Sequence, residues 1–293
     1  MINFNKFYKI FNIISFILML SSILLLSIKG LNFGVDFKGG TLIELRTTDN
    51  EINVTTLRKS FNKMNLGDVN VKKFGKDNDY LIKFEKKDIE PNTIEKIKID
   101  LTNLIGDTFN FRRVENVGPK VSSELLKSGM IAILVSLAAM LFYIWIRFEW
   151  QFSLGAILAL FHDIIITLGF FSLFSLEINL SIVAAVLTIV GYSMNDTVVI
   201  FDRVRENLRK FSDIKIYELT NISINETLSR TIITSVTTLL ALLSIYIFGG
   251  EILKGFSLAM ILGVIFGTYS SIYIANPVLV RLRVSQKTII KED

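Results

Sequence analysis

Two polar pairs stand inside long apolar runs, and the chemistry open to them is the transfer of a proton or a small cation. His162 and Asp163 lie about ten residues into the run Phe152–Leu176, or ~15 Å at the helical rise; Asn195 and Asp196 lie in the run Leu180–Phe201. Arg230 immediately precedes a third run, Thr231–Phe248. A carboxylate loads and releases a proton, and an imidazole can pass one between its two nitrogens. Desolvation favours the neutral carboxyl and a nearby guanidinium favours the charged one, so such a pair can switch as its surroundings change. Ionisable groups cost about 3 kcal/mol at the centre of a membrane span, and a residue that bears this cost marks a functional site. Two plainer assignments stay open: Arg230 as a positive-inside anchor, and Asp196 as part of the helix-end charge cluster with Asp202 and Arg203. His162-Asp163 lies too deep in its run for either.

His162 is the single histidine and cysteine is absent, which excludes a His-rich or thiolate metal site and a disulfide framework. No cofactor is expected beyond a transmembrane H⁺ or Na⁺ gradient, and the net charge of +5 gives no reason to expect nucleic acid.

The elements that must position these residues are membrane helices. The 293 residues are 51% hydrophobic, and a span needs about 20 mostly apolar residues. Such runs lie at Ile10–Ile28, Met130–Ile146, Phe152–Leu176, Leu180–Phe201, Thr231–Phe248 and Leu253–Ala275. The first is longer than a signal-peptide core and no small-x-small site follows it, so it reads as a retained anchor. Lys6 and Lys9 precede span one, and Arg147 sits between spans two and three, flanked by Trp145 and Trp150. Arg203, Arg205, Arg209, Lys210 and Lys215 lie between spans four and five, and Arg281, Arg283, Lys287 and Lys291 follow span six. The opposite short loops hold only Glu177, then Glu251 with Lys254. Both termini are therefore expected in the cytoplasm. The resulting layout is a first span over 1–30, an extracytoplasmic domain over 31–128, a five-helix bundle over 129–276 with a cytoplasmic loop 202–229, and a cytoplasmic tail over 277–293.

Between spans one and two the periodicity changes. Thr41–Thr47, Val69–Phe74, Tyr80–Phe84 and Phe109–Val117 read as strands. Val54–Met64 reads as a helix, and Pro91 opens a second with Ile94, Ile97, Leu101 and Leu104 on one face. A turn with Gly75 and Asp77-Asn78-Asp79 joins the middle strands. The order β-α-β-β-α-β is that of a small ferredoxin-like α+β domain. Gly39-Gly40 lacks the rest of a dinucleotide fingerprint and reads as a tight entry into the first strand.

The spans are expected to have distinct faces. Ser181, Ala185, Thr188, Tyr192, Asn195 and Asp196 form one arc of span four, with Ile182, Val183, Val186, Leu187, Val190 and Met194 facing elsewhere, toward lipid. On span five, Ser223-Ile-Asn-Glu226 matches a capping box, and Arg230 shares a stripe with Thr234, Thr237, Thr238, Ala241 and Ser244. Span six carries Gly255, Ala259, Gly263, Gly267, Ser271 and Ala275 at every fourth position, a small-residue ridge that lets another backbone approach closely, in this chain or a second one.

The motifs in order resemble those of the SecD/SecF family, within the RND superfamily. They are Gly30-Leu-Asn-Phe-Gly-Val-Asp-Phe-Lys-Gly-Gly40, His162-Asp163 with Thr167-Leu-Gly169, and Val190 through Asn207. Asn225-Glu-Thr-Leu-Ser-Arg-Thr-Ile-Ile-Thr-Ser235 and Gly267-Thr-Tyr-Ser-Ser-Ile-Tyr273 complete the series. The resemblance covers essentially the whole chain and points to its SecF branch. It implies half of a twelve-helix core completed by SecD, association with the SecYEG channel and YajC, and residence in the bacterial inner membrane. It also implies use of the proton gradient to draw a translocating polypeptide across the bilayer after SecA has begun transfer. The transport-critical acid and arginine carry over onto Asp196 and Arg230. No Walker A motif is present, so ATP hydrolysis is not expected. A half-size RND-type exporter of lipids or small molecules is the second reading, and a scaffold without transport the third.

Overall fold

The structure is a computed structural model that describes residues 1–49, 52–64, 66–73, 78–84, 92–211 and 214–289. In chain order its main helices are α1 (Tyr8–Ile28), α2 (Val35–Lys38), α3 (Val54–Asn62), α4 (Thr93–Ile105), α5 (Pro119–Arg147), α6 (Trp150–Leu173), α7 (Leu180–Lys210), α8 (Ile216–Phe248), α9 (Glu251–Ser270) and α10 (Asn276–Arg281). A π-helical turn, Ser271–Ala275, joins the last two. The four-stranded sheet contains β1 (Gly40–Thr47), β2 (Val69–Lys73), β3 (Asp79–Phe84) and β4 (Phe109–Val117). Two compact units result, Phe33–Met130 and Met1–Asn32 with Ile131–Asp293.

In the sheet unit the strands run antiparallel in the order β2-β3-β1-β4. Alternation puts Ile43, Leu45, Val71, Ile82 and Phe84 on one face, where Leu57 and Phe61 of α3 and Ile97 and Leu101 of α4 cover them. The expected β-α-β-β-α-β order is present. Leu104 is exposed, however, and Ile105 packs against the core in its place, because the next position round the helix points closer to the sheet. Asn53 starts α3 by accepting the backbone N–H groups of Thr55 and Thr56 at 3.0 Å. The short α2 was not expected from the sequence. Gly39 leaves it at φ 78° and Gly40 enters β1 at φ 121°, angles that side chains rarely adopt. A Cβ on Gly39 would stand 3.3 Å from both the Val117 carbonyl and the Ser122 hydroxyl. Gly75, Asp77, Pro91 and Lys291 lie outside the described residues.

Six helices are long and apolar enough to cross a membrane: Asn5–Ile28, Pro119–Arg147, Trp150–Leu173, Leu180–Lys210, Ile216–Phe248 and Ile252–Arg281. All but the third outrun the apolar stretches that announce them; the third ends at Leu173, three residues before the expected Leu176. The expected loop 202–229 is almost wholly helical, since α7 continues to Lys210 and α8 begins at Ile216. Ser223 and Glu226 do not cap α8 but lie inside it. The Ser223 hydroxyl donates back to the Leu219 carbonyl at 2.9 Å, while Glu226 accepts from Arg203 and Asn207 of α7, both at 2.7 Å. The motif fastens two helices where a helix start was expected. At the same end of the bundle the first residues are tied to α8, with the Ile2 and Phe4 amides donating to Asn225 and Asn221.

The bundle core is held by α6, α7 and the last span, each about half buried; α1, α5 and α8 bury less than a fifth of their apolar windows. The small-residue ridge of α9 packs within this chain. A Cβ on Gly267 would lie 3.1 Å from the Ser193 Cα, and one on Gly263 would overlap the Ile189 side chain. The ridge does not continue as a regular helix. Pro277 cannot donate a backbone hydrogen bond, and the π-helical turn just before it re-registers the chain. The Asn276 side-chain amide donates to the Ser271 carbonyl at 2.7 Å, satisfying a backbone acceptor inside the turn.

Candidate functional site

The close approach of α9 to α7 brings hydroxyl groups to the two buried acids. Asp163 on α6 is fully buried and His162 is 2% exposed. The His162 Nδ1 lies 2.8 Å from the Asp163 Oδ1. The hydroxyls of Ser193 (α7) and Ser270 (α9) donate to Oδ2 at 2.6 and 2.7 Å. Asp163 thus joins three helices, and its cost in an apolar interior is offset by three short hydrogen bonds. The His162 ring stacks on Tyr269 at 5.8 Å between centroids, and the Tyr269 hydroxyl is fixed by Ser15 and the Phe11 carbonyl on α1.

Asp196 on α7 is 3% exposed and far more loosely held. Thr268 of α9 donates to its Oδ2 at 3.3 Å, and Ser235 of α8 stands 2.7 Å from that threonine's hydroxyl. The two acids are therefore served by adjoining turns of the same helices: Ser193 precedes Asp196 by three residues, and Ser270 follows Thr268 by two.

The other expected site residues fall elsewhere. Asn195 is exposed and lines a groove with Ser136, Tyr143, Gly191 and Val198, because adjacent helical residues point about 100° apart. Arg230 is exposed and makes no ion pair among the described residues; its guanidinium acts on Asp196 only through space. The expected polar arcs are offset from the buried ones. On α7, Ile182, Val186, Val190 and Met194 are buried while Thr188 and Asn195 are exposed. On α8, Thr231 and Ser235 are buried while Arg230, Thr237, Ala241 and Ser244 are exposed. Asp196 is also distinct from the charge cluster at the end of α7. There Asp202 pairs with Arg147 at 2.8 Å, Arg203 with Glu206 and Glu226, and Arg205 with Glu149 at 3.0 Å. Sequence reasoning missed Ser193, Ser235, Thr268, Tyr269 and Ser270. The available signal was hydroxyls one turn from an acid or beside Gly267, where a close backbone approach brings small side chains together.

The chain matches the family described as protein export membrane protein SecD/SecF, C-terminal, over residues 97–285, and the SecD/SecF GG motif over residues 24–51. It belongs to the SecD/SecF family. The protein translocase subunit SecF of Rickettsia bellii is 47% identical over 94% of this chain and 92% of its own, and that of Rickettsia typhi 45% identical over 94% and 90%. The crystal structure of SecDF, a translocon-associated membrane protein from Thermus thermophilus, superposes with a TM-score of 0.85 at 34% identity. Its super-membrane-facing form gives 0.70. Both likenesses cover 96% of this chain, which spans 38% of the SecDF chain. The family fold of six membrane helices with a small sheet domain is the one found here, and the GG motif contains the positive-φ pair Gly39-Gly40.

Proposed function

We propose that this chain is the SecF subunit of the Sec protein translocase, pairing with SecD in the bacterial inner membrane with both termini in the cytoplasm. There it works beside SecYEG and YajC, after SecA, and converts a transmembrane H⁺ or Na⁺ gradient into movement of a translocating polypeptide; it does not hydrolyse ATP. The observation that carries this reading is Asp196, sealed in the bundle on one long hydrogen bond, while Arg230 stands on the open face of α8 with no ion pair among the described residues. An arginine left bare on the face of a membrane helix is costly unless something covers it, and the SecD membrane helices fit that need. A single charge crossing the full potential supplies ~2.3 kcal/mol per 100 mV, enough to bias a two-state movement about fifty-fold. Asp196 supplies the switch by alternating between contact with Arg230 and a neutral state.

Asp196→Asn keeps the size and freezes the neutral form. Gradient-driven export into vesicles should be lost, while insertion, SecD binding and SecA-driven transfer with ATP persist; Arg230→Ala should behave alike. Wild-type gradient-dependent export from Asp196→Asn would reduce Asp196 to a packing residue. Varying pH and sodium separately identifies the ion.

A further inference from the structure

The second acid leads in a different direction. The Nε2 of His162 is buried and has no hydrogen-bond partner among the described residues. Such an atom in a dry interior is costly and rare, and calls for a water or an ion. His162 lines a cavity of about 510 Å³ together with Lys9 and Asn12 of α1, Leu158 of α6, and Val278 and Arg281 of α10. Lys9 opens α1 and Arg281 closes α10, so one end of the cavity is cationic; among the described residues neither makes an ion pair. The wall between holds Asn12 and several apolar side chains, and the cavity has room for several waters with polar groups to hold them.

We infer that this cavity is a water-filled vestibule, entered from the end of the bundle that carries the N-terminus, by which protons reach a second proton-binding site, the His162–Asp163 pair. In the resting form the proton sits on Nδ1 and is donated to Asp163, whose other oxygen accepts from Ser193 and Ser270. Nε2 is then the ring nitrogen with a free lone pair, carried by a residue of the vestibule wall. Taking up one proton there gives an imidazolium beside a carboxylate, so a buried net negative charge becomes a neutral pair. Against the ring stand Asp163 from its own helix and Tyr269 and Phe266 from α9, while Lys9 from α1 and Arg281 from α10 are the charged groups of the cavity it lines. Because Asp163 ties α6 to α7 and α9, the helices that also hold Asp196, proton exchange at His162 acts on the same contact. The inference deepens the proposed use of an ion gradient, but access to His162 can be tested without any export assay.

The chain has no cysteine and one histidine, which makes both measurements specific. Single variants Asn12→Cys and Leu158→Cys line the cavity; Ile14→Cys, on an exposed apolar position of α1 outside it, is the control. A membrane-impermeant thiosulfonate applied to inside-out vesicles of the full chain attacks only a hydrated thiolate. Both lining positions should react at least about tenfold faster than the control. Equal, slow reaction at all three would mean that lipid chains fill the groove, and would overturn the vestibule. In parallel, the ring resonances of isotope-labelled His162, in full-length protein purified without a histidine tag, should titrate with pH, and Asp163→Asn should move that titration. A ring that does not respond between pH 5 and 9 overturns the proton site. A wet, titrating His162 in a protein whose export ignores the gradient would instead leave this inference standing and sink the proposed function.

Discussion

The two units of this molecule differ in where their polar groups go and in what they leave outside. In the sheet unit Ile43, Leu45, Leu57, Phe61, Ile82 and Leu101 are sealed within, and ion pairs such as Arg46–Asp79 at 2.6 Å lie on β1 and β3 away from that core. In the bundle the sealed centre includes His162, Asp163, Ser193, Asp196, Thr197 and Ser270, while Ile, Leu and Phe side chains face outward along α1, α5 and α8. Water drives the first arrangement by expelling apolar surface. Lipid offers no such drive, so the bundle must be held by close packing and by hydrogen bonds between helices. The sheet unit should therefore be broken by removing apolar bulk, and the bundle by adding bulk or removing a polar hub.

The largest effect belongs to the α7–α9 contact. Replacing Gly263 by Leu should prevent the two helices from meeting, because even a Cβ there overlaps Ile189, which is itself 1% exposed. Gly263→Ala gains helix propensity of about 1 kcal/mol but overfills a packed site at a cost of about 1–3 kcal/mol; the overlap should win. Ile265→Phe, on an exposed position of the same helix, is the control. Thermal unfolding of the detergent-purified chain reads all three, and equal stability would show that the ridge is not what binds the bundle.

The same contrast divides the two acids. Asp163 accepts three short hydrogen bonds from three residues, whereas Asp196 accepts one at 3.3 Å. Interhelical hydrogen bonds in membranes average ~0.6 kcal/mol each, so Asp163→Ala should cost about 2 kcal/mol of stability and Asp196→Ala less than about 1 kcal/mol. Unfolding in mixed detergent micelles gives the comparison. A larger loss at Asp196 would mean that it is the structural hub and Asp163 the movable group.

Much of this was legible in the sequence. The six spans and the strand and helix order of the sheet unit follow from run length and from periods of 2 and 3.6, which the solvent imposes. The inward faces of α7 and α8 were not legible. In lipid an apolar residue is at home on either side of a helix, so Ile182, Val186 and Val190 gave no sign that they point inward, and the threonine stripe of α8 drew attention to the open face. Partners in space were hidden as well. Thr268 and Ser270 become ligands of the acids because Gly263 and Gly267 bring α9 onto α7, Ser193 because α7 packs on α6, and the Ser223–Glu226 pattern meant contact with α7 and not a helix start.

The smallest effect tests the sheet unit on its own terms, through a charge that sits uneasily there. Lys83 is only partly exposed on β3, and burial, reinforced by the nearby Lys72, pulls its ammonium down to about 8, with Asp36 and Glu115 opposing. A free lysine titrates at about 10.4. Between those two values the unfolded chain binds more protons than the folded one, so folding stability rises with pH across that window and the cost is fully present below it. Lys83→Met should remove the cost. Proteolysis of the full chain by a protease active from neutral to alkaline pH reads opening of this unit. At pH 7 the variant should be cut more slowly than wild type within residues 33–130, and at pH 10 the two should converge. A difference that is the same at both pH values would show that the methionine acts through packing, and that the charge on Lys83 is as well solvated as any surface lysine.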